Sequence, residues 1–134
     1  MVVSTHWIHW LALLALCAAY LQGGLQKAMD FGAAVGEMRQ FGLAPAAPFA
    51  LATIALEIGA PALILTGCQR WLGALLLAGF TLAATLLSNR FWRVAPPARA
   101  MAANTFFEHL GLVGGFVLVA WHDLHLTATW APAP

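Results

Sequence analysis

Charge is the first thing this chain lacks. Of 134 residues, six are Lys or Arg and five are Asp or Glu, eight per cent in all, where a soluble domain carries about a quarter. That scarcity excludes an ordinary water-solvated globule. With 62% hydrophobic residues, a domain of this size cannot hide its apolar surface in one core, and the surplus must face lipid. The six basic residues are scattered and leave a formal net charge of +1. Phosphate binding needs a clustered basic surface, so nucleic acid is not an expected partner. Cysteine is nearly absent too. Cys17 and Cys68 are far apart and form neither a CxxC redox pair nor a metal-ligand cluster. Cys17 reads as a small apolar residue buried on a membrane helix. No Lys or Arg precedes the first apolar run and no clear small-residue cleavage site follows it, so that segment is expected to remain rather than to be a removable signal peptide.

What the chain has in abundance is long apolar runs. Four are expected to cross a bilayer as helices, at about 20 residues for a roughly 30 Å hydrocarbon core. They are Trp7 to Gly24, Phe49 to Gly67, Trp71 to Ser88 and Thr105 to Trp121. The fold class read from this pattern is all-α, a single membrane four-helix bundle over residues 1–134 with short loops. Gln26 to Pro48 reads as a polar loop with room for a short surface helix. Arg90 to Asn104, with three arginines and the Pro96, Pro97 pair, reads as an interfacial segment between the third and fourth spans. His122 to Pro134 reads as a short, poorly ordered tail. Lys27, Arg39, Arg90, Arg93 and Arg99 fall in the first and third connections, against Arg70 alone elsewhere. The positive-inside rule therefore puts those connections in the cytoplasm and both termini outside.

Inside this apolar frame a few polar residues stand out. Glu57 lies near the middle of the second span, where an ionised carboxylate costs on the order of 3 kcal/mol. It must be neutral, partnered or in a wet cavity, and it is the candidate catalytic residue. The bland alternative is an acid that merely cross-links helices by hydrogen bonds. On the first span Cys17, Tyr20, Gly24 and Lys27 share a face, and Lys27 can snorkel towards the cytoplasmic boundary. On the third, Thr81, Thr85 and Ser88 form a polar stripe. On the fourth, Asn104, Glu108, Gly111 and Gly115 share a face, with the two glycines spaced for close helix approach. His109 is offset from Glu108 by about 100°. These faces are expected to converge on the cytoplasmic half of a bundle, lining a pocket with Tyr20, Lys27, Thr81, Thr85, Asn104, Glu108 and His109 and with Glu57 at its deep end. Ordinary packing accounts for the threonine stripe equally well. His6, His9, His122 and His125 lack the spacing of a metal site, and no metal is expected.

Three stretches, taken in order, resemble the DoxX family of small four-helix bacterial membrane proteins. The first is Gly23 and Lys27, followed by Phe41, Gly42 and Pro45. The second is Glu57, Ile58 and Gly59, leading to Gly67 and Arg70. The third runs Asn104, Thr105, Phe106, Phe107, Glu108, His109, Leu110, Gly111, Leu112, Val113, Gly114 and Gly115. Ala60 and Pro61 depart from a pattern that is glycine-rich in many members, so the second span is expected to bend differently. The resemblance implies a bacterial inner-membrane protein. Some members look like, or are related to, the membrane subunit of a thiosulfate:quinone oxidoreductase, and others are associated with membrane redox-defence complexes.

The leading expectation is therefore a quinone-linked redox accessory subunit. A quinone is apolar with two carbonyl acceptors, and Glu57, Lys27 or Tyr20 could hydrogen-bond or protonate it. No haem ligand pair or flavin fingerprint occurs, so electrons would come from a partner oxidoreductase. Two other readings stand beside it. One is a small proton-coupled carrier using Glu57 and the Pro61 helix break, which would need a homo-oligomer. The other is a non-enzymatic scaffold that recruits a soluble partner through the basic connections.

Overall fold

The computed structural model describes residues 6–130, with side chains as far as Leu126. The described chain contains five α-helices: α1 (His6–Met29), α2 (Phe31–Gln40), α3 (Ala46–Thr66), α4 (Arg70–Ser88) and α5 (Ala98–Trp130), with a 3-10 turn at Phe91–Arg93 between the last two. No strand occurs among the described residues. Four helices, α1, α3, α4 and α5, are long and apolar enough to cross a membrane. The all-α membrane class expected from the sequence holds, and the chain is a multi-pass membrane protein.

Two compact units divide at Gly73 and Ala74. In the first, α1 and α3 run antiparallel. The Trp10 indole donates to the Leu65 carbonyl at 3.2 Å near one end, and Lys27 meets Glu57 towards the other. The inward face of α1 is Leu13, Cys17, Tyr20 and Gly24, the helical spacing expected from the sequence. Its bulky neighbours Trp7, Ile8, Leu11 and Leu25 are exposed, as suits side chains solvated by lipid. Cys17 is fully buried, as expected, and Cys68 is exposed.

The first connection holds a short helix, and α1 runs further into it than expected. No proline or strong cap interrupts the chain before Asp30, so α1 continues past Lys27 to Met29, and ten residues then form α2. Asp30 starts that helix by accepting from the Ala33 amide at 3.1 Å, an N-cap bond that satisfies one of its free donors. Gly42, at a φ of 75°, ends it. The amides of Gly42 and Leu43 reach back to the carbonyls of Arg39 and Met38 at 3.0 Å each, the paired bonds of a Schellman ending. Ala34 and Met38 of α2 pack with Ala50 of α3, under Phe31, Val35, Phe41 and Leu43. The connection thus contains the short helix for which the sequence left room, packed against α3.

A tight turn joins α3 to α4. Gly67 takes the left-handed conformation at the end of α3 with a φ of 78°, and the Arg70 guanidinium donates to the Ile64 carbonyl at 2.7 Å, occupying an otherwise orphaned acceptor. Gly73 then lies so close to α3 that a Cβ there would stand 2.6 Å from the Ala60 carbonyl oxygen and 3.0 Å from the Leu63 Cβ.

In the second unit, the sequence reading needs two corrections. α5 begins at Ala98 rather than Thr105, because Ala98 to Asn104 has no breaker once Pro96 and Pro97 are passed. It also extends through the expected tail to Trp130, since no Gly or Pro follows His122 before Pro132. Residues 131–134 of that tail lie outside the described residues. At 33 residues the helix is about 50 Å long, well beyond a roughly 30 Å hydrocarbon core. Its ends therefore project into the headgroup layers or water. Of the segment read as interfacial, Arg90–Asn104, about half is helical, Ala98 onwards belonging to α5.

Gly73→Ala is expected to lower stability by about 1–3 kcal/mol through overpacking, seen as a lower midpoint in detergent unfolding. Gly79→Ala, where a Cβ would meet nothing within 4 Å, is expected to be neutral or slightly stabilising.

Candidate functional site

The buried acid has a partner. The Lys27 ammonium donates to both Glu57 carboxylate oxygens, at 3.0 and 3.2 Å. Of the alternatives open to an intramembrane acid, pairing is the one observed. The side chains are 18% and 6% exposed respectively, so the carboxylate is enclosed while the ammonium keeps some access to its surroundings. Lys27 does not simply snorkel away from the helix pair.

Two glycines make the room for this pair. A Cβ on Gly23 would come within 3.2 Å of the Glu57 Oε2, and one on Gly24 within 3.1 Å of the Glu57 Cβ and 2.9 Å of the Ile58 Cγ1. Any larger residue would push α1 away from α3 or turn the carboxylate off Lys27. Pro61, buried within α3, adds a further feature. Having no N–H, it cannot bond the carbonyl four residues back, which belongs to Glu57. One residue thus presents both a carboxylate and a main-chain carbonyl that lacks its helical donor.

A recess of about 380 Å³ opens at the elbow of α1 and α2, lined by Gly23, Gln26, Lys27, Met29, Asp30, Ala33, Ala34 and Glu37. Glu57 is not in its wall. Lys27 is, and it joins the two by lining the recess and bonding Glu57 behind it. A proton or hydrogen-bonding ligand in the recess therefore meets Lys27 directly and Glu57 through it. Asp30 and Glu37 add carboxylates to the rim.

Tyr20 is buried on the same face of α1 as Lys27. The remaining sequence candidates lie in the second unit. Thr81 and Thr85 are buried. Asn89 donates to the Thr85 hydroxyl at 3.3 Å and to the Ser88 hydroxyl at 3.1 Å, and its amide nitrogen lies 3.5 Å from the His109 Nδ1. Asn89 is thus the hub that ties the end of α4 to α5. Asn89 stands just past the third span and is not among the residues singled out from the sequence, although its position four residues beyond Thr85 is a usable sign. Asn104 and Glu108 are exposed, while the neighbouring His109 is half-buried. Gln26, Asp30 and Glu37 of the recess were also missed as a group, because they come together only once α2 folds back as a helix.

A family model described as DoxX matches residues 8–90 of the chain. The match includes α1 to α4 with Gly23, Lys27, Gly42, Glu57 and Arg70; the Asn104 to Gly115 stretch lies beyond it. No curated protein and no solved structure matches the chain.

Lys27→Met strands an enclosed carboxylate and is expected to cost about 3–5 kcal/mol. Glu57→Gln should cost less, because the partly exposed Lys27 can turn towards water. The double variant should recover much of the loss. A double-mutant cycle of unfolding midpoints in detergent measures this coupling, and strictly additive effects would contradict the pair.

Proposed function

The chain belongs to the DoxX family, and from that premise we propose that it is a quinone-linked accessory subunit working with a partner oxidoreductase in the bacterial inner membrane. The observation that carries this reading is the position of Lys27 between the recess and Glu57. Reduction of a quinone to a quinol takes two electrons and two protons. The electrons come from the partner. The protons come from the aqueous side, through the Asp30 and Glu37 rim to Lys27, with Glu57 as the group that holds the ammonium in place and exchanges a proton with it.

The recess volume lies within the range usual for small-molecule sites. The ammonium is a donor suited to a quinone carbonyl, and charge developing on that oxygen during reduction would strengthen the bond. Tyr20 is a second hydrogen-bonding group on the same helix face. Thr81, Thr85, Asn104, Glu108 and His109, which belong to the second unit, are proposed separately as cofactor-binding residues. In this reading the first and third connections face the cytoplasm and both termini lie outside, following the distribution of Lys and Arg.

A proton-coupled carrier is the second reading, favoured by the freed Glu57 carbonyl next to the ion pair, since main-chain carbonyls without a helical donor recur at ion sites in transporters; α3 itself stays continuous through Pro61. It would act as a homo-oligomer. Uptake into vesicles that depends on a pH gradient would favour it.

Mass spectrometry of small molecules retained by the protein in mild detergent tests the leading reading. A quinone is expected with the wild type and at several-fold lower occupancy in both Lys27→Met and Glu57→Gln. Equal quinone in all three, or none in the wild type, would remove it.

A further inference from the structure

The strongest feature outside the Lys27–Glu57 site is the junction between α4 and α5. No acidic residue occurs from Ile58 to Phe107, and within that stretch Arg90, Arg93 and Arg99 fall close together. The fold brings them closer still. The Arg93 amide bonds the Arg90 carbonyl at 3.0 Å, closing the 3-10 turn Phe91–Arg93 with Arg90 at its start. Arg99 folds back from α5, its Nε donating to the Val94 carbonyl at 2.9 Å. Three arginines are thereby carried on one short segment and the helix start that folds back on it. Among the described residues no carboxylate pairs with any of them.

The turn is held in place by aromatic rings. Phe91 packs against Trp92, Phe106 and Phe107 with centroids 5.2, 5.4 and 5.8 Å away, and Trp92 meets Phe106 edge-on at 5.7 Å. Yet Trp92 and Phe107 remain 49% and 58% exposed. An aromatic platform with an apolar outer edge, carrying arginines that form no ion pair with the adjoining Glu108 or any other carboxylate among the described residues, matches the boundary between acyl chains and phosphates. Arginine is suited to that boundary because its planar fork bonds two phosphate oxygens at once.

We propose that this junction is a binding site for the phosphate headgroup of an anionic phospholipid, whose acyl chains lie along Trp92 and Phe107. The occupant is a lipid rather than a soluble anion because the charged and apolar surfaces adjoin, and one ligand must satisfy both. The site is separate from the recess beside Lys27 and does not depend on what that recess binds.

Native mass spectrometry of the full chain in mild detergent, titrated with phosphatidylglycerol or phosphatidylcholine of matched chains, is the test. The wild type is expected to retain phosphatidylglycerol on the order of tenfold better, given the attraction that each surface arginine exerts on anionic lipid. The triple variant Arg90→Gln, Arg93→Gln, Arg99→Gln should lose that preference. Arg39→Gln, which removes one positive charge elsewhere, should keep it, and the Arg90→Lys, Arg93→Lys, Arg99→Lys variant should keep part of it. Helical circular dichroism identifies a triple variant that fails to fold, and the lysine variant then serves as the comparison. Equal retention of the two lipids by the wild type, or an unchanged preference in the glutamine variant, would overturn the proposal.

Discussion

An unpaired carboxylate near the middle of a membrane span costs on the order of 3 kcal/mol, and the first unit of this protein is organised around meeting that cost. Glu57 can stay on α3 because Lys27 reaches it from α1 at 3.0 Å. Lys27 can reach it because Gly23 and Gly24 let the two helices approach until a Cβ would collide. Removing any one of these conditions undoes the others. A bulky residue at either glycine separates the helices, and a lost charge strands its partner where water is scarce. Packing and electrostatics here are one constraint, and the α1–α3 register follows from it.

The same constraint sets what the site can do. A salt bridge sealed on all sides would be structural glue. In this protein the ammonium end also lines a recess whose rim carries Asp30 and Glu37, so the pair has an outward-facing member and an enclosed one. That asymmetry leaves the ammonium reachable from the recess while the carboxylate stays enclosed. α2 is what creates it: capped by Asp30 and closed by Gly42, it folds the first connection against α3 and forms one side of an open recess at the end of α1.

Much of this was legible in the sequence. Four apolar runs with almost no charge can do little else but span lipid, and an acid inside one of them announces itself. The buried face of α1 followed from helical spacing alone, Cys17, Tyr20 and Gly24 included. The partnership of Lys27 with Glu57 was not legible, because it depends on how two helices cross and spacing within either one is silent about that. α2 was underweighted for a local reason. Its Gly32, Gly36 and short alanine run have weak intrinsic pattern, and the signals that define it are its two caps, Asp30 and Gly42. On α5, one residue of rotation separates the exposed Glu108 from the half-buried His109, a distinction that a helical wheel without a known neighbour cannot draw.

Lys27 is the sole lysine of the chain, which makes the central pair directly observable in lipid. With lysine labelled by 15N and glutamate by 13C, solid-state NMR in bilayers can measure the dipolar coupling between the Lys27 Nζ and a glutamate side-chain carboxyl, with Glu57→Gln assigning the signal. The account predicts a strong coupling, as expected for direct contact at the 3.0 and 3.2 Å N–O distances, that disappears in the variant. A Lys27 nitrogen showing no coupling to any glutamate carboxyl would contradict it.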